Sequence, residues 1–202
     1  MQRRLQEKFS AMHRLMLRPG AATRDVTGAT LAFLALFGVL SAPLLWRPEA
    51  TTDLLAASLI LAVALAALSA IDLHAYRLPD VLTLPLAGLG LLVSAWSGAM
   101  PLWWSALSAV LAFMLLAGIA AAYRHVRGRA GLGLGDAKLV AASGAWLGLE
   151  ALPTVLLWAT ASALICALAA SWRGRPVTGA TRLPFGPFLA FATWLVWLYG
   201  PL

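Results

Sequence analysis

The sequence predicts an all-α fold, a polytopic membrane helix bundle with about seven transmembrane helices. Three observations predict it. First, 61% of the residues are hydrophobic and only 11% are charged, far outside soluble usage. Second, apolar runs of about the roughly 20 residues that a bilayer crossing requires recur along the whole chain. Third, the basic residues alternate between rich and poor loops in step with those runs. At 202 residues the chain has the size of one domain, read as a basic tail (1–25) followed by a transmembrane domain (26–202).

The first span is expected from about Val26 to Trp46. The polar stretch ahead of it, and the lack of a small-residue cleavage site after it, mark an anchored helix rather than a secretory signal. In the tail, Leu5, Phe9, Met12, Leu15 and Met16 recur at helical spacing with basic residues between them. That pattern suits an amphipathic helix on the inner leaflet, and a solvated tail is the alternative. The second span, "TDLLAASLILAVALAALSAI", runs from Thr52 to Ile71. The third (Val81 to Ser97) is short, the fourth covers Leu102 to Tyr123, and the fifth (Ala137 to Leu149) is shorter still. The sixth covers Leu152 to Ser171 and the seventh Phe185 to Tyr199. The fifth crosses the hydrocarbon core only if the bilayer thins or the loop before it dips inward. Such a dip sets Asp136 slightly below the surface and lets Lys138 snorkel back to the interface.

With these spans, every Lys and Arg except Arg47 falls on one side, which the positive-inside rule makes cytoplasmic. The N-terminus is then cytoplasmic and the C-terminus outside. Trp46, Trp96, Trp103, Trp104, Trp146 and Trp172 fall near span ends, where interfacial aromatics belong. The net charge of +7 is explained by anionic inner-leaflet lipid, so no nucleic-acid partner is expected. A lone cysteine, Cys166 in mid-span, reads as a buried apolar filler and excludes a cysteine-based zinc site.

Among the acids, three stand at the cytoplasmic boundary. Asp80 follows Pro79 at the start of span 3, where proline suits the first helical turn and a carboxylate suits the positive end of the helix dipole. Asp72 has no such explanation: it follows an unbroken apolar span, at a helix C-terminus that disfavours an anion. An ionisable residue so placed is a functional candidate. Asp136 opens span 5 in "GLGLGDAKL", after Gly131, Gly133 and Gly135. Alternating glycines suit a sharp bend or a close approach. Their spacing matches neither a dinucleotide loop nor a phosphate loop.

Two carboxylates on separate helices at one membrane face suit aspartyl hydrolysis. A water held between them attacks an amide while one carboxyl takes its proton and the other donates to the substrate. Close like charges keep the two acids in different protonation states. The helix ends favour Asp136 as base and Asp72 as proton carrier, although coupled groups titrate as a pair. A small transporter or ion carrier using the same two aspartates is the alternative. Against it stand the absence of a clear internal repeat and the position of both acids at one face. His74 reads as a boundary residue rather than a metal ligand, and no metal or cofactor is expected.

Three segments then resemble a known family: "IDLHAYRLPDVLTLPLAGLGLL" (71–92), "GLGLGDAKLVAASGAWLG" (131–148) and "RLPFGPFLAFATW" (182–194). They are similar to the signature segments of type IV prepilin peptidases, membrane aspartyl proteases of the GxGD type. The resemblance makes 26–202 a peptidase domain of the bacterial inner membrane, with Asp72 and Asp136 as its catalytic pair. Asp80 is then a motif residue without a catalytic role, Gly133 and Gly135 are the GxGD glycines, and Lys138 is a supporting position. Pro184, Gly186 and Pro187 either shape a substrate groove or simply start span 7. The implied partners are the lipid bilayer and a prepilin or pilin-like secretion subunit, whose leader is cut at the cytoplasmic face. A GxGD protease acting on other membrane proteins is a closer rival. Many members also carry an insertion with paired C-x-x-C motifs that binds zinc and is associated with N-methylation. With one cysteine in this sequence, methyl transfer is not expected.

Overall fold

A computed structural model describes residues 19–42, 52–128, 133–173 and 183–202, with side chains from residue 26 onward. Seven helices occupy these residues: α1 (Pro19–Ser41), α2 (Thr52–Ala75), α3 (Asp80–Ser97), α4 (Leu102–Arg127), α5 (Leu134–Leu147), α6 (Leu152–Trp172) and α7 (Gly186–Tyr199). No strand occurs among the described residues. The expected all-α membrane bundle is what forms, in the expected order.

Four of the helices, α2, α3, α4 and α6, are long and apolar enough to cross a membrane. The apolar parts of α1 (Val26–Ser41) and α7 are shorter. Helix α5 has 14 residues, about 21 Å at 1.5 Å per residue, against a hydrocarbon core of roughly 30 Å. Helix α1 begins at Pro19, inside the stretch expected to be tail, with proline where its missing N–H costs nothing. Residues 1–18, Trp46, Arg129, Gly131 and Arg182 lie outside the described residues.

The bundle is built around α2 and α5. Helix α2 is apolar all round and buries Leu61, Leu65 and Leu68 completely. Helix α5 is made largely of small residues and is buried along most of its length. Small residues matter here because apolar burial drives little helix association in lipid, so close approach must supply it. A Cβ on Gly144 would lie 2.9 Å from the Ser108 carbonyl oxygen of α4. Beside it, Ser105 Oγ donates to the Ala145 carbonyl at 2.6 Å. On the α3 side, a Cβ on Gly90 would fall 2.5 Å from Trp146 Cδ1.

Two expectations are corrected. Trp146 is not interfacial: it is 6% exposed, and its indole N–H donates to the Leu86 carbonyl at 2.8 Å in the space that Gly90 leaves. Trp96, Trp103 and Trp172 are exposed as expected. Cys166 is exposed rather than buried, because α6 buries only residues of its first half (Leu152, Thr154, Val155 and Ala159).

Short turns make α2 and α3, α3 and α4, and α5 and α6 antiparallel, and the bundle has two ends. One end gathers the C-termini of α2 and α4 and the N-termini of α3, α5 and α7. At the other, Gly148 lies against Met100, and Tyr199 Oη donates to the Leu40 carbonyl at 3.1 Å.

Candidate active site

Asp72 stands in the last turn of α2 and is 5% exposed. The helix stops just beyond it. Tyr76 N–H donates to the Asp72 carbonyl at 2.9 Å, and Tyr76 takes φ 51°, a left-handed conformation costly for a side chain other than glycine. That turn points the chain back so that Leu78 is buried against α5. There a Cβ on Gly135 would meet Leu78 Cβ at 3.0 Å.

The GxGD glycines therefore serve close approach rather than a sharp bend, since neither has positive φ. Gly133 is the extended N-cap of α5, and its N–H donates to the Asp136 carboxylate. A Cβ on Gly133 would lie 3.2 Å from Asp136 Oδ2. Asp136 itself occupies the first turn of α5, half-buried, and its carboxyl is close enough to that of Asp72 for the two to act on each other electrostatically.

The third contribution comes from α7. Phe185 is its N-cap, Gly186 its first residue, and Pro187 follows; Gly186 and Pro187 are buried and Pro184 half-buried. This is a helix start, as one of the two sequence readings had it. It also brings Gly186 N–H to 2.9 Å from Asp72 Oδ2. Asp72 thus lies at the C-terminus of its own helix and at the N-terminus of another. The contrast of helix ends that separates the two acids in sequence is removed, because both carboxylates face the positive end of a helix dipole.

Asp80 sits one residue after Pro79, which is the N-cap of α3 rather than part of its first turn, and makes no capping bond. It pairs instead with Lys138, Nζ to Oδ1 2.6 Å. Lys138 therefore reaches sideways to α3 rather than simply out to the interface, joining the N-termini of α3 and α5. His74 donates from Nδ1 to the Ala70 carbonyl at 2.8 Å, within its own helix. No group of three or more His, Cys, Asp or Glu among the described residues could hold a metal ion.

Sequence reasoning missed the Gly186 contact, the Lys138 ion pair and the seating of Leu78. The glycine–proline pair opening α7 is the signal that could have found the first, since proline in an opening turn leaves few N–H groups to aim. The spacing of Asp80 and Lys138, 58 residues apart, offered none.

A family model described as the type IV leader peptidase family matches residues 59–168. A prepilin leader peptidase/N-methyltransferase of Burkholderia pseudomallei is 46% identical over 130 residues, 64% of this chain and 42% of that protein. The protein of the same name from Aeromonas salmonicida is 40% identical over 144 residues, 71% of this chain and 49% of its own length. That of Neisseria gonorrhoeae is 37% identical over 138 residues, 68% and 46%. The chain spans just under half the length of each of these curated relatives. No solved structure matches.

Proposed function

This chain belongs to the type IV leader peptidase family, and from that membership we propose a membrane aspartyl endopeptidase that removes the leader of type IV prepilins or pilin-like secretion subunits. What supports the proposal is the placing of Asp72 and Asp136: two carboxyls from separate helices, one buried and one half-buried, at a single end of the bundle and within electrostatic reach.

Their chemistry follows from the arrangement. Two carboxyls within electrostatic reach of each other resist double ionisation, and the proposed working state of the pair holds one proton. A water between them gives a proton to the ionised carboxyl as its oxygen attacks the peptide carbonyl carbon. The protonated carboxyl donates to the carbonyl oxygen as the tetrahedral intermediate forms. Collapse breaks the C–N bond: the proton taken from water passes to the leaving nitrogen, and one hydroxyl of the intermediate returns its proton to the other carboxylate as the new carbonyl forms, so the pair ends where it began. Asp80 and Lys138 take no part in the bond changes; their ion pair holds the first turns of α3 and α5 together.

The cleavage site would face the cytoplasm of a bacterial inner membrane. Supporting this, the end that carries the acids also carries Arg124, His125 and Arg127 in the last turn of α4, where cations suit both the helix dipole and anionic lipid. A prepilin whose apolar helix lies in the bilayer presents its leader at that face. Peptide cleavage is the activity proposed; the single cysteine of this sequence supplies no paired cysteines for a zinc site.

The test is cleavage of a prepilin by the purified chain in detergent, read by mass spectrometry of both products. Cutting at the leader junction, undiminished by EDTA, is expected. An intact prepilin, or activity that chelation abolishes and metal restores, would overturn the proposal.

A further inference from the structure

The first turn of α7 has an unusual set of donors. Phe188 and Leu189 both give their N–H to the Phe185 carbonyl, each at 3.1 Å, and Pro187 has none to give. Gly186 N–H is left at the tip, and it is spent on Asp72 Oδ2 at 2.9 Å. The same residue is also spatially committed. A Cβ there would lie 2.7 Å from Asp72 Oδ2, 3.0 Å from Cγ and 3.1 Å from Cβ, closer than side chains tolerate. The carboxyl occupies the volume that any other residue would fill.

Helix α7 is also fastened to the helix that carries the partner acid. Seven residues beyond Gly186, Thr193 shares a buried hydrogen bond with Ser143 of α5 at 2.7 Å, seven residues beyond Asp136. Two turns into each helix, the element that holds Asp72 is fastened to the element that presents Asp136.

We propose that Gly186 is a positioning residue for the hydrolytic reaction, its backbone N–H aiming the Asp72 carboxyl and its missing side chain admitting that carboxyl to the end of α7. This rests on the peptidase reading above. The donor leaves one oxygen of Asp72 fixed and the other free for water, and the Ser143–Thr193 bond sets how far that free oxygen stands from Asp136. Misplacement on the scale of an ångström costs about 100-fold in rate.

The experiment compares wild type, Gly186→Ala and Gly118→Ala on a synthetic peptide spanning a prepilin leader junction, in detergent. Gly118 lies in a helix with nothing within 4 Å of an added Cβ. Gly186→Ala is expected to lower kcat about 100-fold and leave KM within about 3-fold, because substrate still binds while the acid is displaced. Gly118→Ala is expected to match wild type. Equal kcat for Gly186→Ala and wild type would overturn the positioning role alone. A wild type that fails to cut would overturn the peptidase reading and this role with it.

A second measurement reads the contact without catalysis, in a variant from which the crowding carboxyl is removed. In a Cys166→Ser background, the Asp72→Cys/Gly186→Cys double variant brings two Cβ atoms nearly to disulfide separation. Mild oxidation is expected to consume both thiols. Thiols that remain free would overturn the proposal.

Discussion

The two ends of the bundle are held by different kinds of contact. At the end carrying the aspartates, directed polar bonds predominate: Gly186 N–H to Asp72, Gly133 N–H to Asp136, and Lys138 to Asp80. The opposite end has polar bonds of its own, Trp197 Nε1 to Ser58 Oγ at 2.9 Å and Tyr199 Oη to the Leu40 carbonyl at 3.1 Å, but its contact to a carboxylate is long. Trp104 Nε1 lies 3.4 Å from Glu150 Oε2, and Gly148 rests against the Met100 sulfur. There a cavity of about 580 Å³ opens between α2, α3 and α7, lined by residues including Asp53, Ala57, Leu92, Trp96 and Trp197. Lipid rewards apolar helix contact weakly, so geometry is fixed only where polar bonds or close packing fix it. One end needs fixed geometry and the other tolerates a void.

That contrast can be broken most severely at Gly135. A branched side chain there is driven into Leu78, whose Cβ already stands 3.0 Å from the position of an added Cβ. Gly135→Val is expected to lower kcat about 100-fold by shifting the first turn of α5 that carries Asp136. Peptide cleavage normalised to folded protein measures it, and a wild-type rate would show that this end is not tightly set.

A smaller effect is expected from the ion pair. Lys138 and Asp80 are partly exposed, so their pair contributes at most about 1 kcal/mol to stability. Lys138→Met and Asp80→Asn should each slow cleavage several-fold, and the double variant should be no slower than the worse single one. Additive losses would show that the two act separately. Smallest of all is a substitution at the other end. Ala57→Leu, into the cavity, is expected to leave kcat within about 2-fold and to raise stability by roughly 0.5–1 kcal/mol, measured by thermal unfolding in detergent. A large loss of activity would mean that the two ends are coupled.

Much of this architecture was legible in the sequence because hydropathy and helix punctuation are local signals. The order of the helices, the short α5, the boundary positions of Asp72 and Asp136 and the start of α7 all follow from runs, prolines and glycines. What was not legible depends on which side of a helix faces protein and which faces lipid. In water a polar stripe marks the outer face; in a bilayer both faces are apolar, so Trp146 and Trp96 look alike in sequence although one is buried and the other exposed. Cys166 was misjudged for the same reason. The Gly186–Asp72 bond spans 114 residues, and only folding shows that the end of one helix compensates the unfavourable end of another.

The claim on which all of this depends is that Asp72 and Asp136 act as one unit. Single-turnover cleavage of a prepilin by Asp72→Asn, Asp136→Asn and the double variant tests it directly. Each single variant should lose about 10⁴-fold or more, and the double variant should lose no more than either, as expected of groups that work together. A single variant that still cleaves at an appreciable rate would contradict it.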